Sequence, residues 1–314
     1  MPNFTATAPG KVILFGDHAV VYGHPAIAVP VTQVQARATI APGIGLPDGE
    51  IQITAPEIAL ESPLRDLPLD HAIKQAIELT LAALGIEHPT AFKLKITSSI
   101  PLAAGLGSGA AVSVAAARAV SAFFGHPLED EQVNAIAFEV EKIHHGTPSG
   151  IDNTVITYAQ PVYFIKGQPL ETFDIRSPFT LVIGDTGIAS PTSVAVGDVR
   201  KAWEADRQGY ERLFAGCGDI AVRARAAIEG GDVGALGLLM NENHALLQKM
   251  GVSSPELDRL VDAARAAGAA GAKLSGGGRG GNMIALALEV DPTLIANALM
   301  DAGAKNTVIT QVGQ

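Results

Sequence analysis

The sequence from position 101 to 111 reads Pro101-Leu-Ala-Ala-Gly105-Leu-Gly107-Ser108-Gly109-Ala110-Ala111. It follows an alternating stretch at 92–97 that predicts a strand, and it leads into small residues typical of a helix. Backbone N–H groups at a helix start lack partners within the helix and carry partial positive charge, so this junction favours phosphate binding. Glycine-rich turns between a strand and a helix also occur only for packing. By itself, the loop is equally typical of a phosphate-binding loop and of such a packing turn.

A second glycine-rich loop runs from Ser275 to Gly281. Neither loop ends in the Gly-Lys-Ser/Thr of a Walker-type loop, and the first lacks the Gly-x-Gly-x-x-Gly spacing of a dinucleotide fold. The second loop joins two predicted strands and carries Arg279, which is equally suited to contact phosphate or solvent. The two loops therefore predict close approach to a ligand without identifying it.

The composition is that of a globular protein, with 314 residues, 47% of them hydrophobic and 17% charged. A formal net charge of −10 argues against a nucleic-acid surface. The sequence shows no run long enough to span a bilayer and no secretory signal, so we predict a cytoplasmic protein with no membrane partner. Cys217 is the only cysteine, which excludes an internal disulfide, and we interpret it as a small hydrophobic residue.

Apolar periodicity predicts alternating strands and helices in two domains, with a boundary between about 160 and 190. The predicted elements are strands within 5–22 and 26–54, a helix from an N-cap at Asp70 to Gly85, a strand at 92–97, helices ending near Gly125 and spanning 129–145, strands at 162–165 and 179–185, helices at 194–228, 232–249 and 255–268, strands at 272–274 and 283–288, and a final helix near 292–302 and strand near 307–312.

Two carboxylates emerge from one helix and the turn that follows it. Glu141 flanks the apolar stripe of the helix at 129–145, and Asp152 follows the turn Ser149-Gly150-Ile151. Such a pair beside a phosphate loop suggests phosphoryl transfer, in which one acid holds Mg²⁺ and the other accepts a hydroxyl proton. The alternatives are that Asp152 caps the next helix and that Glu141 is solvated.

Lys11 and His18 are candidate site residues near the amino terminus. Lys11 follows Pro9-Gly10 at a strand edge, where a lysine either enters a cleft or lies on the surface. His18 follows Asp17, and it either orients a substrate group or is a hydrogen-bonded structural histidine.

Together these segments resemble the GHMP kinase superfamily and, within it, the mevalonate kinase family. The similar segments are Ala8-Pro-Gly-Lys11-Val-Ile-Leu-Phe-Gly-Asp17-His18-Ala-Val-Val-Tyr-Gly23, the loop from Pro101 to Ala111, Glu141-Lys-Ile-His-His-Gly-Thr-Pro-Ser-Gly-Ile-Asp152-Asn153, Asn243-His244 through Asp258, and Lys273 to Gly281. They span nearly the whole chain in the family's order.

The resemblance implies an α/β (α+β) fold of two domains. The amino-terminal domain, residues 1–170, would be ribosomal-protein-S5-like, and the carboxy-terminal domain, 171–314, ferredoxin-like. The implied activity is ATP- and Mg²⁺-dependent phosphorylation of the C5 hydroxyl of (R)-mevalonate in isoprenoid biosynthesis. A homodimer is compatible with the sequence.

The resemblance also implies roles for individual residues. Asp152 would be the catalytic base and Lys11 its electrostatic partner, Glu141 and Ser108 would hold the metal, and substrate would contact Lys11, Asp17, His18, Asp152 and Thr192. The residues implied for ATP and its phosphates are Pro101, Ala104, Gly105, Leu106, Gly107, Ser108, Gly109, Ala110, Gly277 and Gly278.

Three residues depart from the family pattern. Gly109 stands where the family usually has a second serine that binds the metal, so coordination is expected to depend on Glu141, with Ser108 or water completing it. Asp17 stands where the family usually has Glu, which favours an indirect contact with substrate. Arg279 replaces a glycine.

The shared motifs describe nucleotide handling more than substrate shape, so three alternatives stay open. One is a related kinase that acts on a sugar, homoserine or phosphomevalonate. Another is an ATP-dependent decarboxylase of the same superfamily, against which the presence of Lys11 and Glu141 argues. The third is a non-catalytic ligand sensor that kept the fold.

Overall fold

The computed structural model describes residues 3–101, 105–145 and 148–313, without the side chains at 144 and 145. The strands are β1 (Phe4–Phe15), β2 (Ala26–Pro42), β3 (Ile51–Ala55), β4 (Leu60–Pro63), β5 (Phe92–Ser98), β6 (Val162–Phe164), β7 (Glu171–Thr172), β8 (Phe179–Asp185), β9 (Gly271–Ser275), β10 (Asn282–Ala287) and β11 (Asn306–Val312). The helices are α1 (Ala72–Ala83), α2 (Ser108–Phe123), α3 (Asp130–His145), α4 (Ile151–Tyr158), α5 (Thr192–Ala205), α6 (Arg207–Gly230), α7 (Val233–Lys249), α8 (Pro255–Ala266) and α9 (Pro292–Asp301). This mixture of elements confirms the predicted α/β (α+β) class.

The chain forms two compact units that interleave along the sequence. The first is built from Met1–Gly10, Val34–Pro101 and Gly107–Ala159, and the second from Lys11–Gln33, Leu102–Leu106 and Gln160–Gln314. The chain therefore passes between the units within β1, within β2, at the phosphate loop and after Ala159. The division into domains at residue 170 stays a prediction.

In the first unit, helices cover a sheet that leads directly into the phosphate loop. Strand β3 pairs with β4 antiparallel and with β5 parallel, and β5 pairs antiparallel with the later part of β2. In β5, apolar residues that are buried alternate with exposed lysines, which explains why a local pattern sufficed to predict this strand. Helices α1, α2 and α3 meet around Ala76, Ala116 and Val140. This small-residue contact lets α2 lie close to α3.

In the second unit, an antiparallel sheet carries the third glycine loop. Its strand order is β11-β8-β10-β9, and Asn282 of β10 lies opposite both Ser275 of β9 and Asp185 of β8. Helices α7 and α8 pack against β9, and α9 packs against β8. Their apolar faces share one core that includes Phe214, Leu247 and Leu257. The loop at 275–281 therefore connects the edge strand β9 to the inner strand β10 of this sheet.

Most predicted elements are confirmed within a few residues, and three details differ. The end of the tract predicted as strand within 5–22 is a short 3-10 helix, Ala19–Tyr22, which ends at Gly23 in the left-handed conformation. The tract predicted as one helix at 194–228 contains two, because Asp206 leaves the helical conformation and its side chain accepts a hydrogen bond from the Gly209 N–H to cap α6. The N-cap of α1 is His71 rather than Asp70. Across the described part of the chain, no helix has both the length and the apolar character needed to cross a membrane.

Candidate functional site

The phosphate loop enters α2 through glycines in the left-handed conformation. Gly105 and Gly107 have φ values of 76° and 74°, and Gly107 is the N-cap of the helix. Because Ser108, Gly109 and Ala110 form the first turn, their N–H groups have no carbonyl acceptor within the helix. The predicted phosphate residue Ala104 lies outside the described residues, and Pro101 ends the described segment before it. This helix start has the backbone geometry that binds anions.

Glu141 lies beside the start of α2, within the first unit. It is on α3, its residue is 7% exposed, and a side-chain carbon built on Gly109 would lie 3.6 Å from its Oε1 atom. The alternative of a solvated glutamate is therefore wrong. The carboxylate of Glu141 and the first turn of α2 form one surface, at which a cation bound to phosphate oxygens would be stabilised.

Asp152 is the second residue of α4, directly after the helix start. The N-cap is Gly150, with φ of 88°, so Asp152 does not serve as the cap. Its neighbour Asn153 is buried and donates from Nδ2 to Oδ1 of Asn134 on α3, at 2.6 Å. The Thr154 hydroxyl donates to the Gly150 carbonyl at 2.7 Å. The Asn153 bond holds the turn of helix that carries Asp152 against α3, and the Thr154 bond fixes that turn to the helix start.

In the second unit, Lys11 connects the first motif to the phosphate loop. Its backbone N–H donates to the Leu106 carbonyl at 3.0 Å. Its residue is 5% exposed, so the alternative of a surface lysine is wrong. The structure thus brings these two motifs together although they are far apart in the sequence.

Asp17 and Lys273 form an ion pair in the interior of the second unit. Both side chains are fully buried, with Nζ of Lys273 2.6 Å from Oδ2 of Asp17. The other carboxylate oxygen of Asp17 accepts a 2.6 Å hydrogen bond from the Gly276 N–H. Both carboxylate oxygens of Asp17 are therefore engaged by groups of the protein.

His18 lies beside the third glycine loop. Its Nε2 atom is 3.0 Å from the Gly277 carbonyl oxygen, and its backbone has φ of 58°, a region that non-glycine residues rarely occupy. Burial is the main cause that lowers the pKa of His18 below its usual 6.5, so the ring is neutral near pH 7. Its Nδ1 atom is buried and has no hydrogen-bond partner among the described residues.

The third loop makes close contacts at Gly277 and Gly278. A side-chain carbon at Gly277 would lie 3.0 Å from Oγ1 of Thr192, the first residue of α5. At Gly278, with φ of 73°, the same carbon would overlap the Val252 carbonyl. The structure therefore brings together three of the predicted site residues: His18, Gly277 and Thr192.

Arg279 has a contact that sequence reasoning did not predict. Its guanidinium forms a 2.5 Å ion pair with Asp198, and Nε donates to the Gly251 carbonyl at 3.3 Å. The hydrogen bond from Arg279, followed by one from Lys201, lowers the pKa of the Asp198 carboxyl. The side chain therefore braces the loop within the protein.

Sequence reasoning missed Lys273 and Asn153 as residues that hold the site. Lys273 lies between two apolar residues of a short predicted strand, which indicates that it is buried. Lysine is almost never fully buried unless it is paired, so this position could have predicted an ion pair. Cys217 is fully buried, and burial raises the pKa of its thiol to about 12, which confirms that it behaves as a hydrophobic residue.

Comparisons with known proteins agree with the resemblance. Residues 71–160 match the GHMP kinases N terminal domain family, and residues 224–305 match the GHMP kinases C terminal family. The mevalonate kinases of Thermococcus gammatolerans and Pyrococcus furiosus are 36% and 35% identical to this chain, and each alignment covers 98% of this chain and 96% of the relative. A crystal structure of L. major mevalonate kinase in complex with R-mevalonate is 34% identical, with a TM-score of 0.85 over 98% of this chain and 95% of that one. This chain therefore belongs to the mevalonate kinase family of the GHMP kinases.

Proposed function

We propose that this chain transfers the γ-phosphoryl group of ATP to the C5 hydroxyl of (R)-mevalonate, giving 5-phosphomevalonate and ADP. The observation that carries the proposal is the similarity to mevalonate kinases along almost the whole chain, including one crystallised with R-mevalonate. In the reaction, the C5 oxygen forms a bond to the γ-phosphorus while the bond between that phosphorus and the β,γ-bridging oxygen breaks. The hydroxyl proton leaves to a base, and the electron pair of the broken bond remains on ADP.

We assign Asp152 as that base and Lys11 as the cation that neutralises charge on the transferred group. Asp152 is half-buried in the first turn of α4. The bonds of Asn153 and Thr154 limit the motion of this turn. A fixed carboxylate needs little reorganisation to take a proton, which is how positioning contributes to catalysis.

We assign the phosphates of ATP to the loop and first turn of α2. Their N–H groups at Ser108, Gly109 and Ala110 offer hydrogen-bond donors at the positive end of the helix dipole. This assignment is completed by Pro101, Ala104, Gly105, Leu106 and Gly107, together with Gly277 and Gly278 of the third loop. We assign His18 and Thr192 to the substrate, with Asp17 acting indirectly.

Mg²⁺ is the metal that we propose for the reaction. In proteins it is usually bound by one or two carboxylates and the phosphate oxygens of the substrate, and it would supply positive charge to the transferred group. No cluster of three His, Cys, Asp or Glu side chains that could hold a metal occurs in the described residues. The single carboxylate of Glu141 beside the start of α2 fits an ion held mainly by ATP, with Ser108 as a second protein ligand.

An assay of ADP release with a panel of acceptors tests the proposal. We expect (R)-mevalonate to support turnover with kcat/KM at least 100-fold above that for galactose, homoserine or 5-phosphomevalonate. Turnover on another member of the panel instead would identify a related kinase, release of CO₂ would identify a decarboxylase, and ATP binding without turnover would identify a sensor. A cytoplasmic location and a homodimer stay predictions, and light scattering of the purified protein tests the latter.

A further inference from the structure

We propose that Asp17 is a positioning residue that, together with Lys273, fixes the third glycine loop and thereby orients His18 toward a ligand hydroxyl. The identity of that ligand as mevalonate rests on the proposed function. The positioning itself does not, because all of its contacts lie inside the second unit.

Asp17 has no access to a ligand. Its side chain is fully buried, and both carboxylate oxygens are engaged, Oδ2 with Lys273 and Oδ1 with the Gly276 N–H. Hydrogen bonds to an ionised carboxylate are stronger than those between neutral groups. The carboxylate therefore holds the first glycine of the loop directly.

Lys273 pairs with Asp17 in the protein interior. The Lys273 ammonium also donates to the Leu274 carbonyl at 2.6 Å, which fixes it to β9. A buried charge is strongly disfavoured without an opposite charge, so each member of the pair maintains the other. Ser275, between Lys273 and the loop, adds a hydroxyl bond of 2.8 Å to the Ile13 carbonyl of β1. The beginning of the loop is thus fixed to the first motif at both Ile13 and Asp17.

The loop in turn orients the ring of His18. The Gly277 carbonyl, next along the chain from Gly276, can only accept a hydrogen bond, so the nearby Nε2 atom of His18 carries the proton. In a neutral ring Nδ1 is then an acceptor, and this atom is buried with no partner among the described residues. An acceptor recognises a donor, so this position fits a hydroxyl of the substrate and disfavours an ionised carboxylate.

The protonation of His18 depends on three charged groups as well as on burial. Asp17 raises the pKa of His18, while Arg279 and Lys273 lower it. The hydrogen bond to the Gly277 carbonyl also raises this pKa, and because a carbonyl only accepts, this bond selects between the two neutral forms of the ring.

The test combines ¹⁵N NMR of the histidine rings with kinetics. In the wild-type protein without ligand, we expect the His18 ring to be protonated at Nε2, and we expect mevalonate to shift the Nδ1 resonance in the direction of a hydrogen-bonded acceptor. Protonation at Nδ1 in the free protein would overturn the proposal, whether or not mevalonate proves to be the substrate. An Nδ1 resonance that saturating mevalonate does not move would overturn the assignment of the ligand hydroxyl.

Variants then test the action of Asp17 through His18. We expect Asp17→Asn to give a mixture of ring forms and at least a 10-fold lower kcat/KM for mevalonate. Asp17→Glu keeps the charge, so it should restore the ring protonated at Nε2 and a kcat/KM within about threefold of the wild-type value. In a His18→Gln background, Asp17→Asn should cost less than threefold. If the losses in kcat/KM from Asp17→Asn and His18→Gln multiply in full, the two residues act independently and the proposal is overturned.

Lys74→Met is the matched control. Lys74 is also a buried lysine, and its ammonium donates to the Arg65 and Leu67 carbonyls in the first unit. We expect this control to destabilise the protein while leaving the His18 ring form unchanged. If Asp17→Asn fails to fold, Asp17→Glu and the wild-type spectrum decide the outcome. An unchanged ring form in a folded Asp17→Asn variant would contradict the positioning role.

Discussion

The Nζ atom of Lys273 lies 2.6 Å from Oδ2 of Asp17, and neither side chain is exposed to solvent. The two residues are 256 positions apart in the sequence. Taking either charge out of water is costly, and their mutual attraction with the added bonds to Gly276 and Leu274 offsets this cost. The pair therefore connects the first and third motifs through a contact that is sensitive to the loss of one partner.

Removing one partner of this pair should destabilise the fold more than replacing both. We expect Lys273→Met to lower the free energy of unfolding by about 3–5 kcal/mol, because it leaves a buried unpaired carboxylate. In the double variant Asp17→Asn/Lys273→Met no charge remains, so its loss should be clearly smaller than the sum of the single losses. Urea denaturation measures the loss of unfolding free energy for Asp17→Asn, for Lys273→Met and for the double variant. Strictly additive losses would mean that the two charges do not interact in the folded protein.

Asp152→Asn should abolish most turnover while leaving ATP binding intact. The amide keeps the size of the side chain but cannot take the proton, so we expect kcat to fall by roughly 10²-fold or more. Asp262→Asn, at a side chain that is 78% exposed on α8, is the matched control and should have wild-type kcat. Steady-state kinetics and a nucleotide titration separate the effects. Near-wild-type turnover of Asp152→Asn would refute its role as the base.

Gly109→Ser should lower the Mg²⁺ concentration required for half-maximal activity. The new side-chain carbon would lie 3.6 Å from Oε1 of Glu141, which is an ordinary contact, and the hydroxyl would add an oxygen ligand beside that carboxylate. Gly197→Ser on α5, where a side-chain carbon meets nothing within 4 Å, is the matched control. An unchanged or higher Mg²⁺ requirement for Gly109→Ser would place the metal away from Glu141.

Acidification should destabilise the second unit through His244. Burial is the largest of the effects that lower the pKa of His244 from 6.5 to about 4, and Arg265 and Lys273 add to it, while Asp258 opposes it. Because the folded state favours the neutral ring, its contribution to stability is complete above pH 6.5 and is lost as the pH falls toward 4. This shift corresponds to about 3 kcal/mol.

Urea denaturation between pH 7 and pH 4.5 measures this loss. His244→Asn retains an acceptor for the Leu274 N–H, which bonds to Nδ1 at 3.3 Å in the wild-type protein. The variant should show a shallower decline of the unfolding free energy over this range. A decline as steep as that of the wild-type protein would assign the effect to other groups.

Local patterns predicted most of the fold because the information for each element is local. The alternation in β5 and the apolar stripe of α3 gave their positions directly, and β8 was predicted with its observed bounds. The break at Asp206 was missed because helical periodicity continues on both sides of it. The two-residue strand β7 is too short to carry a pattern at all.

The site was predicted only as a set of separate motifs. The sequence indicates glycine loops and candidate acids, but spacing carries no information on pairs such as Asp17 and Lys273 or Arg279 and Asp198, which depend on the folded chain. The burial of Lys11 likewise follows from tertiary packing rather than from its neighbours in the sequence. The resemblance to a family supplied roles that local chemistry left open.

The position of the phosphate on the product tests the proposed reaction most directly. ATP and (R)-mevalonate would be incubated with the enzyme and the product examined by proton-coupled ³¹P NMR. Transfer to the primary C5 oxygen predicts a phosphomonoester resonance split into a triplet by the two C5 protons, with one ADP formed per product. An uncoupled phosphoester, released CO₂, or ADP formation without a new phosphoester would contradict the proposal.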